Sequence, residues 1–357
     1  DVLDWLSRDP NVRSILLYIE SVRNPRKFLS AARGASRAKT VIALKAGRAP
    51  EGAKAAMTHT GALAGADEVW DAALRRAGVL RVSAISELFE GVETLARART
   101  PRGDKLLVFT NGGGPGVIAI DALVRGGGSL ADLSPSLLER LDRELPATWS
   151  RSNPIDIIGD ADSTRFGKAL GVVLDETKED SVLVLHVPTA VLSAASAAQT
   201  TAAEAQGREG NVLSCFMGGA QAESARRIAA GAGLPVYDTP ESAVRAFLHT
   251  IHYRRSRREL LETPPSLPGD LRFDTERAQE VIQRALDEGR HYLGDVESRE
   301  VLRAYGFPVV ESRVARDASE AERVAREIEP PYVVKIVSPD VVHKSDVGGV
   351  VLNVQTA

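Results

Sequence analysis

The sequence predicts an α/β protein built on doubly wound parallel sheets. Short apolar runs of strand length alternate with longer helix-like segments. The alternation restarts after the break Thr100-Pro101-Arg102-Gly103. A second break, Thr263-Pro264-Pro265-Ser266-Leu267-Pro268-Gly269-Asp270, holds three Pro and one Gly and precedes a segment of different pattern. The expected domains are 1–100, 104–262 and 275–357, with a linker over 263–274.

A helix-like segment opens the chain. Ser14–Ile19 is too short for a helix and is bounded by polar residues, so it reads as a buried strand. Asn24-Pro25 opens a helix to about Arg33, with Pro in the first turn. Thr40–Lys45 is the next strand. A helix over 67–77 is ended by Gly78, Val79–Val82 is a strand, and Ile85–Ala98 is a helix with Ser83 or Ser86 as its cap. After the first break, strand Leu106–Thr110 runs through Asn111-Gly112-Gly113-Gly114-Pro115-Gly116 into a helix Val117–Arg125. Strands follow at Val182–Val187, Val212–Met217 and Val236–Tyr237. Helices are expected at Thr164–Val173, Ala190–Gln206, Gln221–Ala230 and Pro240–Tyr253. The third segment carries helices at Thr275–Asp287, Glu297–Tyr305 and Ala318–Ile328. It also has an extended Val309–Val314 and strands at Tyr332–Val337 and Val350–Val354, joined by the loop Ser338–Gly349.

The 357 residues suit two or three domains at roughly 100–200 residues each. A net charge of −3 gives no electrostatic case for nucleic acid or an anionic membrane surface. No apolar stretch reaches the roughly 18–20 residues a membrane span needs, and no secretory signal is expected. The single Cys215 rules out an intramolecular disulfide and fits a reducing, cytoplasmic setting. The chain begins at Asp1 and stops just after a strand-like run, so both ends are expected to be cut from something longer.

Several residues have chemical potential. The turn Asn111–Gly116 lies between a strand end and a helix start, where unpaired N–H groups and the helix dipole suit phosphate. Tight packing is the competing reason for its glycines. His59 sits in Met57-Thr58-His59-Thr60-Gly61-Ala62-Leu63-Ala64-Gly65, within a long Gly-rich loop that interrupts the βα alternation. Its imidazole titrates near neutrality and is a good nucleophile toward phosphorus. Glu20 follows the first strand and is placed to hydrogen-bond His59, or else to cap the helix that follows. His343 lies in the polar loop 338–349. Lys335, in an otherwise apolar strand, needs a partner for its amine, either a nucleotide phosphate or a buried carboxylate. His186, His249, His252 and His291 read as structural, with no acid or Cys cluster matched to the helical pair. The four-Arg run Arg254–Arg258 reads as dipole compensation and a solvated face. No spacing fits a metal site.

Taken together, these stretches resemble the NDP-forming acyl-CoA synthetases, relatives of succinyl-CoA synthetase. The resemblance rests on Leu17-Tyr18-Ile19-Glu20, Leu44-Lys45-Ala46-Gly47-Arg48, Thr58–Gly65, Asn111–Gly116, Asn153-Pro154-Ile155-Asp156 and Lys335–Asp340 with His343-Lys344-Ser345-Asp346. The motifs occur in the family's order and cover nearly the whole chain. The resemblance implies two flavodoxin-like domains followed by the N-terminal lobe of an ATP-grasp domain. It implies that His59 accepts a phosphoryl group from an acyl phosphate and that Glu20 stabilises the phosphohistidine. Asn111, Gly112, Gly113, Gly114 and Gly116 would hold the phosphate. His343 would relay the phosphoryl group to ADP, and Lys335 would contact nucleotide phosphates. Arg48, Asn153, Asp156, Lys344 and Asp346 lie in the matching motifs as further site residues. The implied reaction is acyl-CoA + phosphate + ADP giving acid + CoA + ATP, and its reverse, in a homo-oligomer.

The family's CoA-binding Rossmann domain, the first half of the succinyl-CoA-synthetase-like domain and the acids that bind magnesium are expected outside this chain. The stretch alone is therefore expected to be inactive. A related group fuses the module to a GNAT-type lysine acetyltransferase as an acyl-CoA-sensing regulator and often lacks the His. The presence of His59 favours a synthetase.

Overall fold

The computed structural model describes residues 1–49, 51–52, 54, 66–99, 101–178, 180–262, 272–338, 341 and 344–357. The chain divides into two compact units, Asp1–Thr263 and Pro264–Ala357.

The first unit opens with α1 (Val2–Arg8), β1 (Ser14–Ile19), α2 (Pro25–Ala38), β2 (Thr40–Lys45), α3 (Asp67–Arg76), β3 (Leu80–Val82) and α4 (Ile85–Arg97). The strands form a parallel sheet in the order β1-β2-β3. Asn24 caps α2 by accepting from the Lys27 N–H at 3.1 Å, with Pro25 in the first turn. α2 continues past Arg33 to Ala38 because Ala31, Ala32, Ala35 and Ser36 keep one face buried. Neither Ser83 nor Ser86 caps α4. Its N-cap is Ala84, and Glu87 reaches back to accept from the Ser83 N–H at 2.8 Å.

The second half of this unit contains β4 (Lys105–Thr110), α5 (Gly113–Arg125), β5 (Ser129–Leu130), α6 (Pro135–Glu144), β6 (Ile155–Asp156), α7 (Ser163–Glu176), β7 (Ser181–His186), α8 (Ala194–Ala205), β8 (Asn211–Phe216), α9 (Glu223–Gly231), β9 (Val236–Tyr237) and α10 (Pro240–Leu261). Its parallel sheet runs β5-β4-β7-β8-β9, with β6 beside the far end of β4. Alternate strand residues feed two cores. Leu107, Phe109, Val184 and Phe216 pack on one face, with Phe166 edge-on to Phe109 at 5.2 Å. Leu106, Val108, Leu185 and Leu213 pack on the other with Ala119, Leu123 and Phe247. This is the doubly wound pattern.

α10 runs eight residues beyond the expected Tyr253, because it has two sheets to cover. Its first half joins the core of the β4 sheet through Phe247 and Ile251. Tyr253 then packs with Ile42, Leu44, Leu80, Val82 and Leu88 under the first sheet. Leu260 abuts the turn before β3, where a Cβ on Gly78 would stand 2.6 Å from its Cδ2. The Arg run is not only a solvated face. The Arg254 Nη1 donates to the carbonyl of Pro101 and to those of Arg102 and Gly103 at 2.7 and 2.8 Å, pinning the break between the two halves.

The second unit contains α11 (Thr275–Asp287), α12 (Asp295–Ala304), α13 (Ala318–Ala325) and the antiparallel pair β10 (Tyr332–Lys335) and β11 (Val350–Val354). Val309–Val314, expected to be extended, belongs to no helix or sheet. It has no ladder partner among the described residues, and Val310 is 79% exposed. Among the described residues of this unit, the buried apolar ones are Ala278, Val281 and Ala285 of α11.

Candidate active site

The Gly-rich turn lies where β4 ends. From β4 the chain crosses to β5 and β6 on one side and then to β7 on the other, so the end of β4 is the topological switch point of the sheet. α5 starts at Gly113, four residues earlier than expected, so Gly113–Gly116 form its first turn. Gly112 is the N-cap and no side chain caps the helix. The Gly112 N–H donates to the Thr110 Oγ1 at 3.1 Å. The N–H groups of Gly113 and Gly114 have no intrahelical acceptor.

The glycines divide by purpose. A Cβ on Gly112 would stand 2.6 Å from Val187 Cγ2, and one on Gly116 would stand 3.1 Å from Pro154 Cγ. Those two are required by packing. A Cβ on Gly113 would come within 2.9 Å of the Asp156 Oδ2, while nothing lies within 4 Å of one on Gly114. Gly114 faces open space at the positive end of a helix, which is where an anion can approach.

Two neighbouring side chains are committed to the backbone. Asn111, 1% exposed, ties the ends of β4 and β7 together. Its Nδ2 donates to the Val187 carbonyl at 3.0 Å and its Oδ1 accepts from the Val187 N–H at 2.9 Å. Asn153 accepts from the Val108 N–H and donates to the Leu106 and Ala131 carbonyls, each at 3.0 Å. Both act as staples that set the strand ends. Asp156 accepts from the Ile158 N–H at 2.9 Å with one oxygen and turns the other to α5.

The carboxyl edge of the first sheet is the second cluster. Glu20 follows β1, and Lys45 ends β2. His59 lies outside the described residues, and the segment that carries it leaves after β2 and returns at α3. Asp67, the first residue of α3, binds both Arg48 (3.4 Å) and Arg81 of β3, and Arg48 also donates to the Ser83 Oγ at 2.6 Å. Burial pushes the Asp67 carboxyl up, but the hydrogen bond and charge of Arg81, helped by Arg48, hold it below the usual carboxylate range. Lys45 is 3% exposed, and its pKa is lowered, first by burial and then by Arg81. Lys45 and Arg81 were not singled out from the sequence as site residues. The available signal was a lysine closing an apolar strand, the same signal that drew attention to Lys335.

In the second unit Lys335 closes β10 in an exposed position, so the argument that burial forces a partner on it fails. Lys344 and Asp346 lie in the turn before Gly348 and Gly349, and the Lys344 carbonyl accepts from the Gly349 N–H at 2.8 Å. His343 lies outside the described residues. His186 is fully buried, its Nε2 3.1 Å from the Leu192 carbonyl, and burial lowers its pKa. His249 does face an acid, the Glu87 carboxylate at 3.8 Å, yet burial pulls its pKa to about 4, so it is neutral at pH 7. The Cys215 thiol is pushed up to about 12 by burial and is inert. Among the described residues no group of three or more His, Cys, Asp or Glu could hold a metal ion, and no helix is long and apolar enough to cross a membrane.

Three family models match in chain order: a succinyl-CoA ligase like flavodoxin domain over residues 1–95, a ligase-CoA domain over 106–260 and an ATP-grasp domain over 284–357. The acetate–CoA ligase [ADP-forming] I of Archaeoglobus fulgidus is 39% identical over 355 residues, which is 99% of this chain and 50% of that protein. The chain belongs to the ADP-forming acyl-CoA synthetase family. The 4-hydroxybutyrate–CoA ligase [ADP-forming] of Nitrosopumilus maritimus is 34% identical over the same shares. The acetyl-coenzyme A synthetase 1 of Ca. Korarchaeum cryptofilum, solved with phosphate and ADP, superposes with a TM-score of 0.68 at 30% identity, covering 74% of this chain and 58% of that one. The chain thus spans about half the length of the curated family members it matches. The flavodoxin-like α/β architecture expected from the sequence is that of this family.

Proposed function

We propose that the protein to which this chain belongs is an acyl-CoA synthetase (ADP-forming). It would interconvert acyl-CoA, ADP and phosphate with a small carboxylic acid, CoA and ATP through an acyl phosphate and a phosphohistidine at His59. The observation that carries this reading is the uncapped start of α5. It sits at the switch point of its sheet, with free N–H groups and open space at Gly114.

In this reading the Gly113 and Gly114 N–H groups hold phosphate oxygens, sharing the helix end with Asp156. Glu20 accepts a hydrogen bond from the His59 ring, fixing its tautomer and favouring positive charge on it. Arg48 and Asp67 close the stem of the His59 segment. His343, with Lys344 and Asp346 beside it, passes the phosphoryl group on, and Lys335 meets the nucleotide phosphates. Positioning and charge neutralisation then supply most of the rate. The magnesium that accompanies the nucleotide, and most contacts to CoA, fall to groups outside this stretch. The relatives named for acetate and for 4-hydroxybutyrate support a small carboxylic acid as the acyl donor. A cytoplasmic homo-oligomer belongs to the same reading, and no observation among the described residues favours the acyl-CoA-sensing alternative.

The test is phosphoryl labelling. The full-length protein incubated with γ-labelled ATP and magnesium should carry acid-labile, base-stable label on His59, and His59→Ala should carry none. Equal labelling of the two proteins would end the proposal.

A further inference from the structure

The mechanism above leaves one buried charge unused. Lys45 ends β2 beside Ile19 of β1, on the sheet face covered by α2 and α3. Arg81 is the register partner of Ala43, so it projects to the same face two residues back along the neighbouring strand. Both cations are withdrawn from water: Lys45 is 3% exposed and the Arg81 side chain 8%.

Their partners are unequal. Arg81 pairs with Asp67, donates to the Asp67 carbonyl at 3.1 Å and reaches Asp71 at 3.4 Å, yet its Nε remains buried without a partner. Among the described residues Lys45 donates only to the adjacent Ala46 carbonyl, and it lies 5.2 Å above the centre of the Trp70 ring. It forms no ion pair with any described residue. Glu20 and Asp67 act on it only through space, and Asp67 is already bound by both arginines. Two like charges side by side in a dry site oppose each other, and an ammonium there is costly without an anion. A fold that keeps both of them calls for a negative group beside them.

We propose that Lys45, backed by Arg81, forms an anion site at the carboxyl end of β2, and that its occupant is a phosphoryl group in its dianionic form. This rests on the phosphoryl-transfer reading above. Lys45 then neutralises phosphoryl charge, with the Trp70 face and the Ala46 carbonyl aiming its amine. The occupant can arrive as free orthophosphate or as the phosphoryl group of the covalent enzyme, and these sources are separable.

The experiment compares full-length wild type with Lys45→Met and Lys45→Arg. It reads the KM for orthophosphate, the half-life of label on the enzyme, and the melting temperature in phosphate-free buffer. Lys45→Met is expected to melt no lower than wild type, because it removes an uncompensated charge, while Lys45→Arg keeps most function. A KM raised about tenfold or more, the loss expected for one charge-assisted contact, assigns the site to free phosphate. A label half-life shortened about tenfold with KM unchanged assigns it to the phosphoenzyme. If Lys45→Met changes neither by more than about twofold, the anion site is overturned whatever the melting temperature does. Should Lys45→Met not fold, the same criterion applies to Lys45→Gln, which keeps a donor on a slightly shorter side chain without the charge. Failure of the broader reading looks different: His59→Ala would label like wild type.

Discussion

Two lysines close two apolar strands, and their fates are opposite. Lys45 ends Thr40–Lys45 and is buried, whereas Lys335 ends Tyr332–Lys335 and is exposed. The local patterns are alike, so the difference comes from what covers each sheet. β2 is the middle strand of three, with α2 and α3 on one face and α4 and α10 on the other. β10 has one ladder partner among the described residues, and Val333 and Val334 are 51% and 53% exposed. A cation in a strand is therefore a clue to function only after the strand is known to be sandwiched.

Hydrogen exchange gives the largest expected contrast. Amides of Val41–Leu44 should exchange at least about a thousandfold more slowly than those of Val333 and Val334, because only the former need a large opening. Equal protection by mass spectrometry would mean that β10 is as well covered as β2.

Acid stability probes how dry the covering of the first sheet is. His249 lies in the seam between α4 and α10, facing Glu87, Arg245 and His252. Its folded pKa, about 4, lies below the ordinary 6.5, so the unfolded chain takes up the proton first as pH falls. The stability is complete above pH 6.5 and should fall by roughly 3 kcal/mol between there and pH 4, at 1.36 kcal/mol per unit. The urea midpoint of wild type should fall relative to that of His249→Leu between pH 6.5 and 4, because the leucine takes up no proton on unfolding. A constant gap between them would show that the seam admits water.

The smallest contrast lies within one helical turn. Gly112→Ala meets Val187 and should cost about 1–3 kcal/mol. Gly114→Ala should change stability by under about 0.5 kcal/mol but lower phosphoenzyme formation, since its methyl group stands where the anion would approach. A destabilised Gly114→Ala with full labelling would reverse the assignment of the two glycines.

Much of the fold was legible in the sequence because the β7 and β8 runs, wholly buried, need nothing but their own apolar character to declare themselves. β5 and β6, two residues each, carry no periodicity and were not foreseen. The start of α5 was set too late because glycine argues against helix, whereas here packing on Val187 and Pro154 overrides propensity. Glu20 and the α5 turn do lie at strand ends, as their sequence positions implied. The place of Arg81 was not readable, since it arises from register with β2 and from Asp67 at the far end of α3. The staple role of Asn153 was hidden for the same reason: its three partners lie 22 to 47 residues away.

The long helix α10 has a consequence for how such chains can be rearranged. Tyr253 fills a hollow formed by Ile42, Leu80 and Leu88, while the preceding turns belong to the other sheet. A recombination event that moved residues 1–99 into another gene would carry that hollow without its plug and set three apolar side chains against water. The seam at 100–103 is thus a poor crossover point for gene shuffling despite its linker-like composition. The first half depends on the second to complete its core.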